Sequence, residues 1–398
     1  MATIERIEVF RLEPPPAEHE GTTATRDGWG KTMKQATPFD RFEEPLSRHE
    51  PGGIIWVKAT ASDGTFGLGS TDTGNTAAIL IEQSLAPAVI GQEVGAVDAC
   101  NDRMWHACIS FGMEGLAARA VAGVDLALWD LWGKSVGEPV YRLAGGPQKR
   151  TLPCYVTGND VDWGKELGFN KFKLARPASV YHGQAGIDNT AEMIAKARET
   201  VGDDADLMLD CWMAYDVDYG VRMCEALRPY RMAWIEEMLP YWNYDGYKAL
   251  RQRVPWQTMA TGEHWSTKHT GIRAVRDRLV DLIQADLKWI GGFTEAMKLA
   301  HAADACGIPM CLHTGANELF GQHWSFAAPN VHLIEYIMFS DPGVPLQECY
   351  AGSLSEAGRQ TYRAIPGTPI PNNGVVSLPP GPGFGINLPE RWLIPWSA

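Results

Sequence analysis

The stretch LMLDCWM, residues 207–213, decides how the rest of the chain is read. Four residues of strand character, Leu207 to Asp210, end abruptly in a carboxylate. Asp210 is then the first of a series. Glu236 closes AWIE, Glu263 closes TMATGE, Asp286 closes LIQAD, His313 closes PMCLH, and Glu335 sits in HLIEYI. The steps are 26, 27, 23, 27 and 22 residues, each long enough for one strand, one loop and one helix. A parallel strand needs a crossover before the next can pair with it, and repetition of that unit closes a (β/α) barrel. The βα loops at the C-terminal ends of barrel strands build the site, so a polar residue there reads as catalytic. The plainer role of a single strand-end Asp is a helix N-cap. Three carboxylates on consecutive strand ends, however, crowd like charges on one rim, which is costly without a cation.

Working outward, the chain of 398 residues, 45% hydrophobic, is long enough for one large or two moderate domains with real cores. A net charge of -13 disfavours nucleic acid and anionic membranes as partners. The start, MATIERIEVF, reads as neither a signal peptide nor a membrane span. The eight cysteines form no C-x-x-C and no zinc-like cluster, so free thiols in a reducing cytoplasm are expected. Trp212, Trp234, Trp265 and Trp289 lie beside the series, either as an indole wall that excludes water or as barrel-to-helix packing.

The flanks are of another class. Residues 4–12 and 54–62 alternate as strands, and Asp63-Gly64 leads into TFGLG as a hairpin. The irregular stretch between them, about 14–53, reads as a lid. Residues 74–133 read as helical, with GLAARAVAGVDLALWDLWGKSVG stopping near Gly137. Residues 1–140 therefore read as an α+β capping domain and 141–355 as the barrel. Barrel strands are expected at 152–158 and 169–175. Helices follow at 188–201, capped by Asp188 or Asn189, and at 216–228, 243–253 and 267–279. Residues 356–398, rich in Pro and Gly, cannot be a barrel helix and are expected to run back over the first domain.

The chemistry follows from ligand type. Asp210, Glu236 and Glu263 supply hard oxygen donors, which suit Mg²⁺ rather than zinc. One such cation binds a substrate carboxylate and stabilises the dianion left when the α-proton departs. A base is then needed. His313 and Asp286 end neighbouring strands about 4.8 Å apart, close enough to hydrogen-bond, and an Asp partner sets the imidazole tautomer. Glu335 reads as a donor of a hydrogen bond or proton to the substrate carboxylate, or else as a surface charge. His264 reads as a supporting or loop contact. Lys173, on an otherwise apolar strand, balances the carboxylate charge.

The chain resembles the enolase superfamily, in its mandelate-racemase-type branch, over essentially its whole length. The motifs are VDLALWDLWGK (124–134), LMLDCWM, WIEE (234–237), TGEH (261–264), ADLKWIGG (285–292) and CLHTG (311–315). LMLDCWM followed by AYDVDYG, with GEHW, is most similar to the L-rhamnonate dehydratase group. The resemblance implies a modified (β/α)7β TIM-type barrel with an α+β cap formed by both termini. It implies Asp210, Glu236 and Glu263 as ligands of one Mg²⁺ per subunit, His313 with Asp286 as general base, and Glu335 facing the developing enediolate. The implied reaction is dehydration of a sugar acid to its 2-keto-3-deoxy acid by a homo-oligomer, an octamer being one family form. Racemases of the branch carry Lys-x-Lys on the second barrel strand. Aligned on Gly168-Phe169, the first lysine is Lys173 and the second position is Ala175, whereas a Lys171/Lys173 register breaks that anchor. A racemase needs a base on each face, so Ala175 favours one-base syn elimination. Racemisation, epimerisation or cycloisomerisation on the same scaffold is the alternative, and a non-catalytic sugar-acid binder a third. The group tends to carry a lid histidine where RDGWGK here offers Trp29, while Arg48 matches an expected substrate contact. L-Rhamnonate, L-lyxonate and L-mannonate share the C2 to C4 pattern and are all candidates.

Overall fold

The computed structural model describes residues 2–13, 53–338, 340, 342, 343, 345, 346, 365 and 367–396. The lid stretch, apart from Gly53, lies outside them, as does the junction at 355/356.

Strand β1 (Ile4–Leu12) pairs antiparallel with β2 (Ile55–Ala61), and β2 with β3 (Phe66–Thr71). The expected hairpin turns at Asp63, whose carboxylate accepts from Thr65 N at 2.9 Å. The helical region is a run of three segments: 74–89, Val97–Cys108 and Leu116–Val136. The last lies directly on β3. A Cβ on Gly69 would stand 2.3 Å from Gly123 O and 2.5 Å from Ala127 N, so only glycine admits so close an approach. Asp130 of that helix is buried and accepts from Leu68 N and Phe384 N, both at 2.8 Å, and from Lys134 Nζ at 2.6 Å. One carboxylate thus ties β3 and the C-terminal segment to the helix. Asp125, one helical turn earlier, accepts from Asn101 Nδ2 at 2.9 Å and Thr294 N at 3.0 Å, which joins the cap helices to a barrel helix.

The second sheet is parallel and curls. Its strands are β4 (Thr151–Thr157), β5 (Lys171–Ala175), β6 (Asp206–Asp210), β7 (Trp234–Glu236), β8 (Met259–Thr261), β9 (Leu282–Ile283) and β10 (Ile334–Ile337). They run in the order β10-β4-β5-β6-β7-β8-β9. The place between β9 and β10 is filled by extended chain rather than a regular strand. Met310 bridges Ile283, His313 N donates to Ala285 O at 3.0 Å, and Ala316 N donates to Glu335 O at 2.7 Å. Inside, Tyr155, Met208, Trp234, Ala260, Leu282 and Cys311 pack together, so the lower barrel is a filled core.

One helix expectation needs correction. The helix expected from 188 begins at Gly183 and is preceded by His182, and Asp188 lies within it, accepting from Gln184 Nε2 at 2.8 Å. Gly186 lies in this helix where a Cβ would stand 2.6 Å from the Tyr219 hydroxyl. The other barrel helices, Val217–Leu227, Tyr244–Arg253 and Lys268–Arg276, fall close to their expected bounds. Asp216 caps the first and Asn243 the second through their side chains. The C-terminal segment also differs. Val375–Ser377 pairs antiparallel with β4 of the barrel before Leu393–Pro395 pairs with β1 of the cap. The seven described cysteines are free, and no described helix is long and apolar enough to cross a membrane.

Candidate active site

The parallel register sets the site. Asp210 is the last residue of β6 and Glu236 the last of β7, and the two pair across the ladder. Glu263 follows β8 by two residues. Ligand oxygens of the three lie within 4.8 Å of one another, and all three side chains are buried. Burial pushes the Asp210 carboxyl up to about 6 and the Glu236 carboxyl up to about 8, and Glu263 is raised for the same reason. Such a cluster of carboxylates, raised by burial and by one another, fits a hard divalent cation.

Lys173 stands beneath the trio, 1% exposed. Its Nζ lies 2.8 Å from Glu236, 2.8 Å from Glu335 and 3.9 Å from Asp210. Lys171 instead reaches Asp206 at the opposite end of the strand. At the level of Asp210, β5 presents Ala175. Burial alone would strip the Lys173 proton, but the surrounding carboxylates outweigh it and hold the ammonium charged.

The His313 and Asp286 side chains meet at 2.8 Å, Nδ1 to Oδ2. The other Asp286 oxygen accepts from Lys288 N at 2.8 Å, capping the short helix Leu287–Ile290. With Nδ1–H donated to the carboxylate, Nε2 is left facing the site, 3.8 Å from Glu263 Oε2. Burial pulls the His313 imidazole down, but in the metal-free protein Glu263, Asp286 and Glu335 outweigh it and set it at about 10; a cation held by Glu263 would offset the first of these and favour the neutral ring with Nε2 free. Glu335 lies under this pair. It accepts from Thr157 Oγ1 at 2.5 Å and from Thr314 N at 2.8 Å besides its ion pair with Lys173. Burial would raise its carboxyl; Lys173 and His313 overcome that and hold it down at about 2. Glu335 thus accepts from Thr157, Thr314 and Lys173 in this arrangement.

His264 follows Glu263 and turns to Glu237, Nδ1 to Oε1 at 2.9 Å. Its ring is 5.8 Å from Trp212, 6.1 Å from Tyr241 and 5.2 Å from Trp289. Trp212 and Trp289 thus form part of an aromatic wall, while Trp234 belongs to the barrel floor and Trp265 is fully buried packing. The backbone is strained here as well: Trp212, Met213, Glu237 and Thr314 have φ of 43°, 63°, 44° and 57°. Each costs of the order of 1–3 kcal/mol and persists because the surroundings over-determine it. Met213 N donates to Glu237 O at 2.6 Å and Glu237 N to Ala260 O at 2.9 Å, stitching successive loops together.

The structure brings together Asp210, Glu236, Glu263, Asp286, His313, Glu335, Lys173 and His264. Trp29 and Arg48 lie outside the described residues. Sequence reading missed Gln284, whose Nε2 donates to Glu236 Oε2 at 2.7 Å, and Glu237. A signal existed for both: Gln284 precedes Asp286 by two, hence on the same strand face, and Glu237 is the second acid of WIEE.

Residues 47–145 match the family model of the mandelate racemase / muconate lactonizing enzyme N-terminal domain, and residues 161–392 that described as enolase C-terminal domain-like. An L-rhamnonate dehydratase of Saccharopolyspora erythraea is 36% identical over 360 residues, 89% of each chain. The crystal structure of rhamnonate dehydratase from Gibberella zeae complexed with Mg superposes with a TM-score of 0.85 at 28% identity, over 99% of this chain and 96% of that one. The 3,6-anhydro-D-galactonate cycloisomerase of Zobellia galactanivorans shares the fold, with a TM-score of 0.74 at 22% identity over 98% of this chain and 99% of that one.

Proposed function

The chain belongs to the enolase superfamily, in its mandelate racemase / muconate lactonizing enzyme branch, and we propose that it is a Mg²⁺-dependent acid-sugar dehydratase acting on an acid of the L-rhamnonate type. The observation that carries the one-base reading is the pairing of His313 with Asp286 on one side of the trio and of Ala175 with Asp210 on the other. Asp210, Glu236 and Glu263 hold the cation. When bound, Mg²⁺ stabilises the negative charge that gathers on the substrate carboxylate as the C2 proton leaves.

The remaining steps fall to side chains. His313 takes the C2 proton at Nε2, and Asp286 holds Nδ1–H and stabilises the imidazolium. The C3–O bond then breaks, the imidazolium returns its proton to the departing 3-hydroxyl, and water leaves on the same face. The enol product tautomerises to the 2-keto-3-deoxy acid. Lys173 balances the charge beneath the trio. Glu335 keeps Lys173 and the Thr314 amide in place and adds negative charge below His313. His264, between Glu237 and Glu263, contacts substrate from the aromatic wall, and Arg48 and Trp29 are substrate contacts from the capping domain. A homo-oligomer is supported by exposed Ile109, Phe111 and Trp242, and a cytoplasmic setting fits the unpaired described cysteines.

His313→Asn tests the assignment. Turnover falls by about 10³-fold or more, as removal of an essential base requires, while Mg²⁺ binding by calorimetry is retained. Activity within a few fold of the parent protein removes His313 as the base.

A further inference from the structure

The chemistry above uses nothing from the capping sheet, yet one carboxylate of that sheet reaches the site. Asp72 follows β3 directly. Its Oδ2 accepts the indole Nε1–H of Trp289 at 2.9 Å and pairs with the Arg119 guanidinium of the helix Leu116–Val136. That guanidinium lies over the Trp289 ring, 4.4 Å from its centroid, and Thr71 Oγ1 donates to Arg119 O at 2.7 Å, which fixes this part of the helix on β3. Trp289 is therefore held at its edge and on a face by two cap residues. Its ring reaches 5.6 Å from His313, tilted by 45°, and 5.2 Å from His264. The same short helix is capped by Asp286, the partner of His313, so the indole and the imidazole share one anchor.

We infer that Asp72 and Arg119 are positioning residues: they clamp Trp289 so that its π face stabilises the imidazolium formed when His313 takes the C2 proton. An aromatic face within about 6 Å attracts a cation, and the attraction strengthens in a site without water. A hydrogen bond from the indole N–H to a carboxylate polarises the ring and makes its face more negative. The charge of Arg119 is matched by Asp72, so the face remains a place for a second cation. The stabilisation exists only once the proton has moved, so it lowers the barrier rather than the substrate affinity. The cap thereby acts on the base through a barrel tryptophan, in addition to any contact it makes with substrate. This inference rests on the assignment of His313 as base.

The test compares Trp289→Phe, Asp72→Ala and Asp72→Asn with the parent protein, each with Mg²⁺ and either L-rhamnonate or L-rhamnonate deuterated at C2. Trp289→Phe and Asp72→Ala lower kcat about ten-fold with KM changed less than about two-fold, the pattern of an interaction made only in the transition state. Their primary isotope effect on kcat rises, because proton transfer has become slower relative to the other steps. Asp72→Asn, which keeps an acceptor for the indole N–H but leaves the Arg119 charge unmatched, gives a kcat between those of Asp72→Ala and the parent. A merely structural role would lower the melting temperature without changing the isotope effect. An unchanged kcat in Trp289→Phe, a change in KM alone, or a lower kcat with an unaltered isotope effect overturns the inference. His313→Asn in the same series separates the two readings. Its full turnover would defeat the base assignment itself, whereas its inactivity beside an unaffected Trp289→Phe would defeat only the clamp.

Discussion

Lys173 is the residue on which the charge balance of the site turns. It is 1% exposed, and its ammonium touches Glu236 and Glu335, both of them buried. Removing one partner of such a set leaves uncompensated charge in a low dielectric, at a cost of about 3–5 kcal/mol. Lys173→Met is therefore expected to lower the unfolding free energy of the metal-free protein by that amount, read from urea titration. Lys173→Met/Glu335→Gln should recover part of the loss, because it removes the orphaned charge as well. Equal stability of the single and double variants would contradict this. The grouping of Asp210, Glu236 and Glu263 and the contact of His313 with Asp286 were legible as a pattern, since the barrel repeat puts each residue at the same phase of its unit. The state of Glu335 was not. Its partners come from β4, from β5 and from the backbone at Thr314, and no sequence spacing relates those three places. The Asp72–Arg119–Trp289 clamp was hidden for the same reason, as its members lie far apart in the chain and belong to different layers.

Among elements, strands and caps with local causes were readable and irregular ones were not. Alternation marked β1 and β2, and Asp216 and Asn243 marked helix starts through their own side chains. The start of the helix at 183 escaped because Gly186 sits where the Tyr219 hydroxyl leaves no room for a Cβ, a tertiary cause. The chain around PMCLH was read as a regular strand and is not one, because hydrogen bonds to Ile283 and Ala285, rather than a full ladder, hold it extended. VDLALWDLWGK was read as a family motif, and its two acids are structural, joining the cap to the barrel and to the C-terminal segment. The contact of β3 with the long cap helix yields a direct prediction. Gly69→Ala places a methyl 2.3 Å from Gly123 O, against backbone that cannot move without the helix. A loss of about 3 kcal/mol is expected, at the upper end for overpacking, seen as a lower urea midpoint. A midpoint equal to that of the parent would show that the helix can shift freely.

At the scale of the whole molecule, the site carries more buried acid than buried base, and its behaviour with pH follows. Burial raises Asp210 to about 6 and Glu236 to about 8, above the ordinary carboxylate value near 4. The folded metal-free protein therefore binds more protons than the unfolded chain across that window. Its stability from these groups is greatest at the acid end and declines as pH rises from about 4 to 8. Cation binding needs the same oxygens ionised, so the Mg²⁺-induced rise in urea midpoint should grow from about pH 5 to pH 8, with protons released on binding. At a hundred-fold excess over Kd the stabilisation is about 2.7 kcal/mol. A shift independent of pH would mean that the trio is not where the cation binds. The central claim, Mg²⁺-dependent elimination from an acid sugar, is tested most directly by incubating the purified protein with Mg²⁺ and a panel of L-rhamnonate, L-lyxonate, L-mannonate, D-galactonate, L-fuconate and sugar diacids, and reading 2-keto-3-deoxy acid. The account predicts product from one or more of the first three and none after the metal is chelated. Exchange of the α-proton with deuterated water but no keto acid from any of them would contradict it.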